Sequence, residues 1–187
     1  MLPITIILTE AYSDWEIAIL TGAGRAFFGA DIGFASPNGG PLTSVAGLPI
    51  ADTAKFAEQS EGVIVVCGSP IWEGEGAPSI GAALTKSLEN GCIIAGICGG
   101  TVALAQAGLL DKIRHTSNGP SYLGKLAPAY TGGANYVDQP MALRDGNIIT
   151  APAPAPTSFA YEVLAAAGLP DEQAQQILQM LVQEHRG

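Results

Sequence analysis

The sequence predicts a single doubly wound α/β domain, and three observations predict it. Short Ile- and Val-rich runs alternate with stretches at helical spacing, two of those runs are apolar on both faces, and Gly- or Pro-rich connections follow the runs. Alternating strands and helices make a mostly parallel sheet, with helices covering both faces. With 187 residues, 48% hydrophobic and 13% charged, the chain can bury one sizeable core and does not require a second. Residues 1–187 are therefore read as one domain.

Strands are predicted at residues 4–9, 31–35, 62–67, 92–97 and 147–150, where apolar runs end in small or polar residues. The runs Val63-Ile64-Val65-Val66 and Ile93-Ile94-Ala95-Gly96-Ile97 lack alternation, which marks central parallel strands. Helices are predicted at 14–28, 80–90, 101–107 and 157–167. The last of these is capped by Gly168, and Pro170 then opens a final helix whose Ala174, Ile177, Leu178 and Leu181 form one apolar stripe. Gly22 and Gly24 fall inside the first helix and read as close packing rather than a phosphate loop. Connections at 36–40, 68–78 and 151–156 follow strands, where an α/β sheet builds its site. The alternating Ala-Pro stretch 151–156 is expected to cross stiffly over the sheet edge.

A net charge of −9 with only eight Lys and Arg excludes a nucleic-acid partner of the usual kind, because phosphate binding needs clustered cations. Cys67, Cys92 and Cys98 are odd in number and form no CxxC pair, so neither a disulfide framework nor a zinc site is indicated, and a reducing cytoplasm fits best. The apolar start lacks a basic leader and is too short to span a membrane. No metal or nucleotide motif is present, and no cofactor is expected.

The chemistry concentrates at Ile97-Cys98-Gly99-Gly100-Thr101. A nucleophile elbow needs small residues around its nucleophile, because the strand-to-helix turn is strained. Gly96, Gly99 and Gly100 supply them. The following helix start places amides near the sulfur and favours thiolate over thiol. Cys67 and Cys92, inside or at the end of apolar runs with no glycine pair after them, read as buried hydrophobes.

These residues resemble the ThiJ/PfpI branch of the class I glutamine amidotransferase-like superfamily. The resemblance rests on Asp14-Trp15-Glu16 after the first strand, the Val-Ile-Val-Val-Cys-Gly68-Ser69-Pro70 strand and loop, the Cys98 elbow, Ala-Gly108-Leu-Leu-Asp111, Asp145-Gly-Asn-Ile-Ile-Thr150 and Ser158-Phe-Ala. It implies a flavodoxin-like sandwich with a nucleophile elbow, in which Glu16 approaches Cys98. Two anions at hydrogen-bond distance are costly, so Glu16 is expected to be protonated and to donate to a Cys98 thiolate. The amides of Ser69 and Gly99 are the implied oxyanion donors, with Gly68 beside them and Trp72 and Glu73 as candidate pocket walls.

The histidine departs from the family. Many members carry one directly after the cysteine, where this chain has Gly99, or farther on, where it has Asn118. His115 lies three residues before Asn118, and in an extended segment that spacing points the two side chains to opposite faces. His115 is carried as a candidate catalytic residue and Asn118 as a pocket residue, with which of the two reaches the site left open, and His185 is expected to face solvent. The implied activity is a cytoplasmic cysteine-dependent hydrolase or lyase acting on a small carbonyl or amide substrate. The alternatives are a redox or stress sensor working through Cys98 oxidation and a glutaminase subunit. Similar proteins are often dimers, which makes a homodimer an expectation of the resemblance with no interface legible in the residues.

Overall fold

The computed structural model describes residues 1–184; His185 and the side chain of Leu181 lie outside it. In chain order the elements are β1 (Ile4–Ile7), α1 (Asp14–Phe28), β2 (Ile32–Ser36), β3 (Leu42–Thr43), β4 (Pro49–Ile50), β5 (Ala54–Lys55), β6 (Val63–Val66), α2 (Gly81–Glu89), β7 (Ile93–Ile97), α3 (Gly100–Gln106), α4 (Tyr122–Leu126), β8 (Leu143–Asp145), β9 (Ile148–Ala151), α5 (Pro156–Ala166) and α6 (Asp171–Glu184). The main sheet has seven strands in the order β5-β2-β1-β6-β7-β9-β8. Every pairing in it is parallel except β8 with β9, which forms an antiparallel edge.

The doubly apolar runs sit where their composition requires. In β6, Val63 and Val65 enter one core while Ile64 and Val66 enter the other, and in β7 Ile93, Ala95 and Ile97 oppose Ile94 in the same way. One core is closed by α1, α5 and α6, through Ile17, Leu20, Phe159, Val163, Ala174 and Ile177. The second is closed by α2, α3 and α4, through Leu84, Val102, Leu104 and Leu123. A parallel sheet covered on both faces has no solvated side, which is why its central strands show no polar alternation.

Helix α1 begins at Asp14 and ends at Phe28, with Gly29 in the left-handed region at φ 65° as its stop. Gly24 is a packing glycine, since a Cβ there would lie 3.4 Å from Ile32 Cδ1 and 3.5 Å from Leu164 Cδ2; around Gly22 the space is open. Gly168, at φ 96°, turns the chain out of α5, and Pro170 precedes α6 and accepts from the Gln173 and Ala174 amides.

Two sequence expectations are corrected. The stretch 151–156 does not cross the sheet edge. Ala151 ends β9, a strand flanked on both sides, and Pro156 already begins α5, so the residues between them stand beside the end of β7. Four short strands were not anticipated: the β3–β4 hairpin, β5 and β8 are two or three residues long, too short to show a period. Among the described residues no helix is long and apolar enough to cross a membrane.

Candidate active site

Cys98 lies one residue past β7 with φ 53°, in the left-handed region that a side chain seldom adopts. Such a residue costs about 1–3 kcal/mol, and its surroundings must hold it. Its N–H donates to Ala151 O at 3.0 Å, and its carbonyl accepts from the Thr101 amide at 3.0 Å and the Thr101 hydroxyl at 2.6 Å. The flanking glycines are set by close approach. A Cβ on Gly100 would run into Val66 O, and one on Gly99 would come within 2.7 Å of Ser69 O. On the other side, Gly96 leaves room for both Leu104 methyls, 3.1 Å from where its Cβ would stand.

Glu16 reaches the same point from α1. It is wholly buried; its Oε2 accepts from the Gly68 N–H at 2.9 Å, while Oε1 has no hydrogen-bond partner among the described residues. A Cβ on Gly68 would overlap Glu16 Oε2 and fall 2.8 Å from Oε1 and 2.9 Å from Cys98 Cβ. Only glycine lets the carboxyl and the cysteine meet here. Ser13 secures the approach, donating its N–H to Gly68 O at 2.8 Å.

Both groups are hard to ionise. Burial pushes the Glu16 carboxyl up to about 7, offset by its polar interactions with Cys98, the Gly68 amide and Ser13. Burial first, and then the Glu16 charge, push the Cys98 thiol up to about 12, while Asn118 and the Gly99 amide pull the other way. The two shifts have one meaning. The pair accommodates a single negative charge above neutrality and resists a second.

Asn118 is the residue that turns toward the sulfur. Its Nδ2 donates to Cys98 Sγ at 3.2 Å and its Oδ1 accepts from the Ala153 N–H at 2.9 Å, which fixes the orientation of the amide. The structure does not bring His115 to Cys98. Its Nδ1 is 2.8 Å from Ile113 O and its Nε2 is 2.6 Å from the Tyr130 hydroxyl, and the buried ring packs edge-on against Tyr130 and Tyr136. Burial lowers its pKa, so it stays neutral as a bridge inside the fold.

Ser69 directs its hydroxyl away, donating to Glu10 O at 2.9 Å and accepting from the Ile71 amide at 3.2 Å, so it caps the turn at residues 70–73. Its backbone amide adjoins Gly99, 3.2 Å from where a Cβ on Gly99 would stand. Trp72 is no pocket wall. It is fully buried in the second core, with Nε1 donating to Cys67 O at 2.9 Å. Cys67 and Cys92 are buried.

One residue at the site escaped the sequence reading. Tyr122, the first residue of α4, donates to Glu73 Oε1 at 2.6 Å, and burial first, then Glu73 and Cys98, raise its pKa above the usual phenol range, while Asn118 pulls the other way. The signal was Tyr122 standing four residues after Asn118, close enough to share the cysteine's surroundings.

The sequence matches the DJ-1/PfpI family over residues 3–166. It is 33% identical to the uncharacterized protease YoaZ of Bacillus subtilis over 162 residues, which span 81% of this chain and 77% of that one. Among solved structures it resembles the DJ-1 superfamily protein Atu0886 of Agrobacterium tumefaciens, with a TM-score of 0.91, 36% identity and all of both chains covered. It also resembles a ThiJ/PfpI family protein of Bacillus anthracis, with a TM-score of 0.77, 29% identity and 89% and 83% of the two chains covered.

Proposed function

This chain belongs to the DJ-1/PfpI family, and on that premise we propose that it is an intracellular hydrolase or lyase that attacks a small carbonyl or amide substrate with the Cys98 thiolate. One observation carries the reading: a cysteine at φ 53° shares its site with a buried carboxyl that has one unpartnered oxygen. The single charge of the pair rests on sulfur. Asn118 Nδ2 and the Gly99 amide favour the thiolate, and on Glu16 the Gly68 N–H reaches only Oε2, which leaves Oε1 to carry the proton toward sulfur.

The chemistry follows. Sulfur forms a bond to the carbonyl carbon, and the carbonyl electron pair moves onto oxygen, which the Ser69 and Gly99 amides receive. The leaving group departs with the proton of Glu16. Water then cleaves the acyl-sulfur bond, giving its proton back to Glu16. With His115 engaged elsewhere, no stronger acid serves the leaving group, so activated esters and reactive carbonyls are better substrates than unactivated amides. The same lack argues against glutaminase chemistry.

Replacing Cys98 with Ser and assaying small aldehydes, esters and amides tests the proposal. Loss of turnover in the variant is expected, and equal rates in both proteins would refute it. A second reading, oxidation sensing, draws on the donors around Sγ, since a sulfinate would find Asn118, the Gly99 amide and protonated Glu16. Gain of two oxygens on Cys98 alone under mild peroxide, with no turnover of any substrate, would favour it over catalysis.

A further inference from the structure

Asn118 and Ala153 serve two places at once. They form the hydrogen-bonded unit that faces Cys98 Sγ, and they also line an open cleft of about 620 Å³ that runs off along Pro140, Pro152, Pro154 and Asp138. The volume is that of a small-ligand site. Proline has no N–H, so three prolines give this cleft stiff, largely apolar walls with no backbone donor of their own. Asp138 is the one charged residue lining it, stands exposed, and makes no ion pair among the described residues.

The charges around Cys98 have one sign. The pair of Cys98 and Glu16 holds one negative charge, Glu73 stands behind Tyr122, and Asp138 lines the cleft. Among the described residues no Lys or Arg bonds to Cys98 or lines the cleft. A concave site lined by one sign of charge focuses the field and concentrates ligands of the opposite sign.

We propose that this cleft holds the non-reacting part of the substrate, and that Asp138 selects carbonyl compounds bearing an apolar chain with a cationic end, such as an ammonium or guanidinium, over anionic ones. The inference rests on the proposed thiolate chemistry for its turnover and on the cleft alone for its binding.

The test uses three p-nitrophenyl esters of matched chain length, ending in ammonium, methyl and carboxylate. For each protein the ratios of kcat/KM are taken against the methyl ester. The ammonium ester is expected to exceed the carboxylate ester by about five- to tenfold at low salt. That ratio should shrink at about 0.5 M salt, where the field is screened. Asp138→Asn should lower it and Asp138→Lys should reverse it. In parallel, hexylammonium should protect Cys98 from iodoacetamide better than hexanoate does, again through Asp138. Turnover with no charge preference, or a preference unmoved by both Asp138 variants, overturns this inference and leaves the proposed function standing. Protection by hexylammonium that depends on Asp138, without Cys98-dependent turnover, supports the cleft and overturns the proposed function instead. Loss of both overturns both.

Discussion

Cys67 and Cys98 follow neighbouring strands of one sheet, yet one is a core atom and the other a candidate nucleophile. β6 and β7 pair in parallel with Val66 opposite Gly96, so continuing the register sets Cys67 beside Ile97 and Gly68 beside Cys98. Cys67 continues the ladder, its N–H donating to Ile7 O at 3.1 Å, is wholly buried, and has its thiol 3.4 Å from Ser13 O. Burial and the nearby Glu16 charge raise its pKa well above the thiol range, so it stays protonated. One residue of register later, the positive φ of Cys98 tips its side chain out of the strand, where an amide donor and a carboxyl can meet it. The difference lies in backbone geometry, and the geometry lies in the glycines. After Cys67 comes a glycine that makes room for Glu16; after Cys98 come two that make room for the preceding strand's loop.

The largest effect is expected where that comparison is broken at its root. Gly100→Ala drives a Cβ into Val66 O, which is backbone and cannot yield cheaply, so the variant should lose about 3 kcal/mol or more in denaturant unfolding. A loss below about 1 kcal/mol would mean that the elbow is not set by this contact.

A smaller effect is expected on reactivity. Asn118→Ala removes the donor to Sγ, a bond to a charged group worth about 1.5–3 kcal/mol. Iodoacetamide labelling of Cys98 near pH 7 should slow by about tenfold or more, while Cys67 stays unlabelled in both proteins; labelling of Cys67 at a comparable rate would erase the contrast between the two cysteines. The smallest effect on the site is expected from His115→Asn. The substitution disturbs the Ile113 and Tyr130 bridges and costs stability, but Cys98 labelling should remain within about twofold, because His115 hydrogen-bonds elsewhere and an unmade bond carries no rate. A drop like that of Asn118→Ala would place the histidine in the site after all.

Much of the frame was legible because it is built from long periodic signals. The bounds read for α1, 14–28, coincide with the helix, and all five predicted strands correspond to strands of the main sheet. The elbow was legible from the glycines alone. Trp72 misled, since a large aromatic just after a loop reads equally as a pocket wall or an interface residue, and its full burial with Nε1 bonded to Cys67 O is an outcome of packing. His115 and Asn118 were separable as opposite faces of an extended segment, but which face met the sulfur depended on the bridge between His115 and Tyr136, a long-range pairing with no local trace. Tyr122 was missed because its partner Glu73 lies 49 residues away.

In the proposed chemistry the one charge shared by Glu16 and Cys98 rests on sulfur, and the pH dependence of Cys98 alkylation reads where it rests. The labelling rate should rise with an apparent pKa near 7, as the pair loses its first proton. In Glu16→Gln that step should survive and move up only modestly, because a carboxamide N–H is a weaker donor to the thiolate than the carboxyl O–H it replaces. Labelling that stays negligible through neutral pH and appears only near pH 12 would place the charge on Glu16 and overturn its assignment to sulfur.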